Sequence, residues 1–298
     1  MILVAGSTGF LGSEVCRRLT AAGQPVRALV RPSSNPEKVT YLKTLGAQIV
    51  EGDVRDRASL AAACGGASAV ISTISSMPSC YTPGENDIAH VDVQGVQGLM
   101  DAARSAGVEH FVYTSFSGNM DLDFPLRNAK RAAEEHLRRS GLTYTILRPS
   151  YFMEVWLSPM LGMDYVEGKA QIYGEGANPI SFISLGDVAQ FATASLGNEA
   201  ARNATLELGG PQALGPLQVV KEFEAVVGRP FAVEHVPVEG IQAQADAATD
   251  PMERSFAGLM LCYAQGDAID MGDLLSDFPL ALTTVADYAQ TVAVVAAA

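Results

Sequence analysis

Short apolar runs alternate with longer amphipathic stretches through the first 150 residues. Met1-Ile2-Leu3-Val4-Ala5 is apolar throughout, the pattern of a strand buried on both faces of a parallel sheet. Leu11, Val15 and Leu19 then recur four apart while Glu14, Arg17 and Arg18 fall on the other side, which predicts an amphipathic helix. The alternation continues with strands at 26–30, 48–52, 69–74, 110–115 and 144–147. Helices are predicted at 36–45, from about Arg57, at 86–106 and at 125–139, the last two closed by Gly107 and by Ser140-Gly141. Strands alternating with helices predict an α/β fold with a doubly wound parallel sheet.

Beyond residue 150 the alternation becomes irregular. Tyr151, Phe152, Met153 and Trp156 crowd large apolar groups after the sixth strand, and Phe152 and Trp156, four apart, share a helix face. Ordinary core and a flat apolar substrate wall both fit that stripe. Residues 171–184, interrupted by Gly174 and Gly176, predict strands returning to the main sheet, and Asp187 opens a helix as an N-terminal carboxylate. A strand at 205–208, a helix at 217–227, a strand at 231–236 and a largely helical end complete a smaller C-terminal α/β lobe. The expected organisation is a dinucleotide-binding domain of residues 1–150 plus about 170–197, with a substrate lobe of about 151–169 plus 198–298. No internal repeat or low-complexity linker is present.

A chain of 298 residues with 48% hydrophobic content suffices for one α/β domain and an appended lobe. Its net charge of −13 argues against a nucleic-acid or anionic-membrane surface and leaves a homodimer open. Cys16, Cys64, Cys80 and Cys262 are scattered without a CxxC pair, so reduced thiols in the cytoplasm are expected rather than zinc or disulfides. His90 has no metal-type residue at i+4, and no metal is expected. The first basic residue is Arg17, so no charged secretory leader is expected. No apolar run reaches the roughly 20 residues of a membrane span, and 292–298 reads as a fraying helix.

The chemistry concentrates where strands end. Gly6-Ser7-Thr8-Gly9-Phe10-Leu11-Gly12 joins the first strand to the first helix. Gly6 suits a tight turn, Gly9 puts no Cβ in the way of a pyrophosphate, and Gly12 lets the helix lie close to the strand. The free N–H groups of the helix N-terminus then face an anion, as in a Rossmann-type dinucleotide site. Arg31 ends the second strand where an acidic residue would hold a ribose hydroxyl; it can instead pair with a 2′-phosphate, with Ser33 and Ser34 as further donors. The cofactor expected is therefore NADP(H). Asp53 and Val54 follow the third strand near the adenine, and Asp53 can accept from the adenine amine or cap the helix near Arg57. The fourth strand runs into Ser75–Gly84, which places Thr73, Ile74 and Ser75 near ribose or phosphate and Met77 and Tyr81 near the substrate. Cys80, with no basic residue nearby in the sequence, reads as a bystander. Thr114-Ser115-Phe116-Ser117 crowns the fifth strand, again at the ligand end.

With Ala129-Lys130-Arg131 and the run Ser140 to Pro149, these motifs resemble the NmrA-like branch of atypical short-chain dehydrogenase/reductases over about residues 1–197. The resemblance implies NADPH-dependent relatives such as triphenylmethane-dye, quinone and isoflavone-type reductases, together with redox sensors that bind the dinucleotide and catalyse nothing. By their place at the ligand ends of the fifth and sixth strands, Thr114, Ser115 and Pro149 are expected to line the cofactor, and Phe116, Tyr151, Phe152 and Trp156 to lie towards the substrate. The Tyr-x-x-x-Lys pair of the wider superfamily falls on Leu126 and Lys130, so the lysine is present and the tyrosine is absent. Lys130 is implied to hold the nicotinamide ribose and, as the catalytic candidate, to donate or relay a proton; a surface pair with Glu134 at i+4 is the structural alternative. The function expected is an NADPH-dependent reductase for a planar apolar small molecule, a quinone, dye-like cation or enone. A non-catalytic NADP(H)-binding sensor is the competing expectation.

Overall fold

The structure is a computed structural model that describes residues 1–77 and 80–297; Pro78, Ser79 and Ala298 of the segments discussed above lie outside it. In chain order the elements begin β1 (Ile2–Ala5), α1 (Phe10–Ala21), β2 (Val26–Val30), α2 (Pro36–Thr44), β3 (Gln48–Glu51), α3 (Arg57–Cys64) and β4 (Ala69–Ser72). A π-helical segment, Ile88–Gly95, runs on into α4 (Val96–Ser105), followed by β5 (His110–Thr114), α5 (Pro125–Arg139) and β6 (Thr143–Pro149). Then come α6 (Met153–Trp156), β7 (Met163–Asp164), β8 (Lys169–Tyr173), α7 (Leu185–Ala194), β9 (Ala204–Leu208), α8 (Pro216–Val227) and β10 (Ala232–Val236). The chain ends in α9 (Val238–Ala247), α10 (Pro251–Gln265), α11 (Gly272–Asp277) and α12 (Val285–Ala297).

The main sheet has the order β3-β2-β1-β4-β5-β6-β9. Ala5 pairs with Leu29 on one side and Ser72 on the other, and Ser72 with Tyr113, all in parallel register. Every residue of β1, β4 and β5 is buried, in keeping with the apolar stretches 2–5, 69–71 and 111–113 within them. Strand order reverses between β1 and β4, the switch point outside which ligands of open α/β sheets bind. Leu60, Leu99, Leu137, Phe111 and Tyr113 belong to the core cluster on one face.

Two compact units emerge: residues 1–115, 125–148 and 188–206 form the first, and residues 116–124, 149–187 and 207–298 the second. Residues 170–187, expected with the dinucleotide domain, lie in the second unit, where β8 pairs antiparallel with β7 and parallel with β10. Strand β9, expected in the substrate lobe, instead takes the edge of the main sheet beside β6. A period-two pattern announces a strand without naming its neighbour. The segment 86–106 is not one uniform α-helix: its first half is π-helical, with Asp87 accepting from the His90 backbone N–H at its start.

Candidate dinucleotide and active site

In the turn between β1 and α1, Gly6 adopts φ +84°, and the Gly9 N–H closes the turn on the Gly6 carbonyl at 2.9 Å. A Cβ at Gly12 would stand 2.2 Å from the Gly6 oxygen, and one at Gly6 would stand 2.6 Å from Thr73 Oγ1. Only hydrogen fits at those two positions. Gly9 caps α1 without a side-chain hydrogen bond, so the first N–H groups of the helix remain for an anion. Ser7 is buried and its hydroxyl donates to the Leu29 carbonyl at 2.7 Å, tying the turn to β2. Leu11 packs into the core, whereas Phe10 is 67% exposed with Lys38 Nζ 5.4 Å from its ring. This cradle fits the pyrophosphate of a dinucleotide.

A cleft of about 640 Å³, partly open to solvent, runs from Gly6, Thr8 and Gly9 past Thr73, Ile74 and Ser75 to Arg31. Ser34 lines it and accepts from the Arg31 backbone N–H; Ser33 is exposed and is not part of the lining. The Arg31 guanidinium donates to Asn86 Oδ1 at 3.0 Å and to Cys80 Sγ at 3.2 Å. Cys80 thus has a cationic neighbour that its local sequence does not show. Val54 lines the cleft, whereas Asp53 does not. Both Asp53 oxygens are taken by the Arg55 guanidinium, at 2.9 and 2.7 Å. That hydrogen bonding, against partial burial and with the Arg55 and Arg31 charges, holds the Asp53 carboxyl below the usual carboxylate range. The cap of α3 is Asp56, which accepts from the Ala58 N–H, so the capping role expected of Asp53 passes to its neighbour.

Lys130, on α5, is buried rather than at the surface. Its Nζ donates to the Ile74 carbonyl at 3.0 Å and the Thr114 carbonyl at 3.4 Å, just beyond β4 and at the end of β5. Asp92 Oδ1 lies 3.8 Å away and the Tyr113 ring centroid 5.4 Å away. Burial pushes the Lys130 ammonium towards its neutral form, opposed by the charges of Asp92 and Glu134. Lys130 makes no ion pair with Glu134, whose carboxylate is bound by Arg148 at 2.5 Å, Arg131 at 2.8 Å and Arg138 at 3.2 Å. Ser115 donates to the same carboxylate at 2.6 Å, which makes it an anchor of this network. Thr114 is buried with its hydroxyl unpartnered, and Leu126 is buried one turn before Lys130.

The residues expected near a substrate scatter. Met77 and Tyr81 are half-buried on either side of residues 78–79. Phe116 is half-buried and stacks on Phe124 at 6.1 Å, and the Pro149 carbonyl accepts from the Ser117 N–H. Tyr151 and Trp156 are not an open wall: both are buried against Tyr263, each with ring centroids 5.4 Å from it, and Tyr151 Oη donates to the Leu259 carbonyl. They form core of the second unit because rings this size lose the most by staying wet. Phe152 remains half-buried. Sequence reasoning missed Asn86 and Asp92. A charged residue on the apolar stripe of Ile88, Val91 and Val96 was the available signal for Asp92.

Among the described residues no cluster of His, Cys, Asp and Glu could hold a metal, and no helix is long and apolar enough to cross a membrane. The model of the NmrA-like family matches residues 1–289. The chain is 32% identical over 265 residues to the NAD(P)H azoreductase of Xenophilus azovorans, covering 87% of this chain and 85% of that protein. It is 30% identical over 239 residues to photosystem II assembly factor Ycf39 of Trieres chinensis, covering 80% and 72%. The triphenylmethane reductase of Citrobacter sp., solved with NADP(H), superposes with a TM-score of 0.77 at 24% identity over 98% of this chain and all of that one. A glycine turn with no room for a Cβ at Gly6 or Gly12, a buried lysine at the ends of β4 and β5, and a family match spanning nearly the whole chain agree: the protein belongs to the NmrA-like family.

Proposed function

We propose that this protein is an NADPH-dependent reductase that acts on a planar apolar small molecule such as a quinone, a dye-like cation or an enone. The observation that carries the reading is the cleft of the first unit, which joins an uncapped helix N-terminus to a guanidinium at the end of β2. Gly6 to Gly12 would hold the pyrophosphate, Arg31 and Ser34 the 2′-phosphate, Val54 the adenine, and Thr73, Ser75 and Lys130 the ribose nearer the nicotinamide. When bound, NADPH supplies the hydride. An ammonium has three donors, and Lys130 commits two to carbonyls, which leaves one for a ribose hydroxyl. Leu126 brings no acid, so the reading favours acceptors that delocalise the incoming charge or start out cationic. The azoreductase and dye reductase among the similar proteins support this acceptor class. We assign dinucleotide binding to the first unit and acceptor recognition to the second, in the cytoplasm.

A second reading, an NADP(H)-binding protein without turnover, is favoured by Leu126 and by the likeness to an assembly factor. The test is NADPH oxidation against a panel of quinones, cationic dyes and enones, with NADH in parallel and binding measured on the same samples. Turnover preferring NADPH is expected. Arg31→Ala should weaken NADPH binding roughly 10–100-fold, the worth of a charge-assisted hydrogen bond or two, and leave NADH binding nearly unchanged. Tight NADPH binding with no acceptor reduced would move the assignment to the second reading.

A further inference from the structure

We propose that Asp92 is the positioning residue of this site: it holds the Lys130 side chain at the ends of β4 and β5 while fixing the Ser75–Met77 turn beside the cleft. The inference rests on the reading that Lys130 faces a bound NADP(H). Asp92 is wholly buried, and a buried carboxylate persists only where hydrogen bonds and a counter-charge compensate it. Its two oxygens divide that work. Oδ2 accepts from the Ser76 N–H at 3.0 Å and the Ser76 hydroxyl at 2.6 Å. Oδ1 has no hydrogen bond and faces the Lys130 Nζ at 3.8 Å. Asp92 sits in the π-helical segment, whose wider turns put it on the buried side with Ile88, Val91 and Gly95.

Further buried oxygens without partners are Thr114 Oγ1, on the residue whose carbonyl Lys130 reaches, and Ser72 Oγ and Tyr113 Oη on paired positions of β4 and β5. Among the described residues, the charged and titratable groups acting on Lys130 are Asp92 from the π-helical segment, Tyr113 from β5 and Glu134 from its own helix. Glu134 is engaged by three arginines, and Tyr113 is pushed well above its ordinary value by burial and then by the Asp92 and Glu134 charges, so it stays neutral. Asp92 is left as the counter-charge that keeps Lys130 an ammonium. A neutral amine there would lose the third donor that a ribose hydroxyl needs.

The test is an NMR titration of the lysine side chains in the full chain, which has only Lys38, Lys43, Lys130, Lys169 and Lys221. Lys130→Arg identifies the Lys130 signal. In the wild type that signal should remain charged through neutral pH; a midpoint below pH 7 would overturn the proposal without any variant at Asp92. In Asp92→Asn the midpoint should fall by roughly 1–3 pH units, the range for loss of a neighbouring opposite charge. Asp92→Glu should restore most of that shift, and Ser76→Ala, which leaves the charge in place, should leave the midpoint near the wild-type value. A folded Asp92→Asn variant with an unmoved Lys130 midpoint overturns the proposal. Adding NADP+ to the same samples separates the two claims: a wild type that binds no NADP+ removes the dinucleotide reading, whereas the coupling of Asp92 to Lys130 is read from the cofactor-free titration.

Discussion

Glu134→Gln is expected to lower stability at neutral pH by about 3–5 kcal/mol, the cost of breaking a buried ion pair by removing one partner. The Glu134 carboxylate is wholly buried, and Arg131, Arg138 and Arg148 all converge on it with the Ser115 hydroxyl. A glutamine keeps one acceptor oxygen and removes the charge, so three partly buried guanidiniums are left facing one another. Burial alone would raise the Glu134 pKa. The hydrogen bonds from Arg148 and Ser115 and the charges of Arg131 and Arg148 outweigh it and hold the folded value below the ordinary 4.5. A depressed carboxyl contributes stability that is complete above its unfolded value and is lost as pH falls through the folded one. The gap between wild type and variant in urea unfolding should therefore be full at neutral pH and shrink below about pH 4.5, where the unfolded carboxyl begins to take up its proton. A gap that stays constant down to about pH 3 would mean that packing, and not the charge, is what Glu134 supplies.

That network shows where the sequence was legible and where it stopped being so. The i,i+4 spacing of Lys130 and Glu134 points to a surface pair, yet the helix buries both and gives Glu134 to Arg148 of β6, a partner visible only once the sheet is assembled. The glycine turn is legible because its requirements are local: between one strand and one helix, Gly6 and Gly12 leave no room for a Cβ and Gly9 keeps one out of the anion's approach, and the spacing states this directly. The main strands are legible because parallel sheets covered on both faces leave uninterrupted apolar runs. Contacts across long separations are not. Cys80 reads as isolated until Arg31, 49 residues away in sequence, reaches its sulfur. Tyr151 and Trp156 lie at the ligand end of β6 in sequence, and only the arrival of Tyr263 turns them into core. Asp53 and Asp56 are the same residue type three apart, and only Asp56 stands directly before Arg57, where its carboxylate reaches the Ala58 N–H while Arg55 holds Asp53.

The steepest effect on cofactor binding is expected from Gly12→Ala. The added methyl would meet the Gly6 carbonyl oxygen at 2.2 Å, the Gly6 carbonyl carbon at 2.7 Å and Thr73 Oγ1 at 2.8 Å. Two of those atoms are backbone in the turn itself, so no rotamer change relieves the contact, and α1 must move away from the turn it completes. Such overpacking costs about 1–3 kcal/mol of stability. The same movement pulls the helix N–H groups off the anion site, and a loss of roughly 1.4–2.8 kcal/mol there is a 10- to 100-fold weaker NADP+ affinity. Gly9→Ala separates the two consequences. Its Cβ would touch only the Gly6 oxygen, at 3.2 Å, so the fold should tolerate it while the methyl obstructs a pyrophosphate approaching the turn. Gly98→Ala is the control: within α4 its methyl would rest 3.6 Å from Leu60 in ordinary contact, and alanine should gain about 0.5–1 kcal/mol over glycine in a helix. Calorimetric NADP+ titrations and thermal unfolding of the three variants should thus diverge, with Gly12→Ala losing both properties, Gly9→Ala chiefly affinity, and Gly98→Ala neither. If Gly12→Ala bound NADP+ as the wild type does, the close approach of α1 to the turn would be a matter of packing alone, and the anion site would have to be built elsewhere in the cleft.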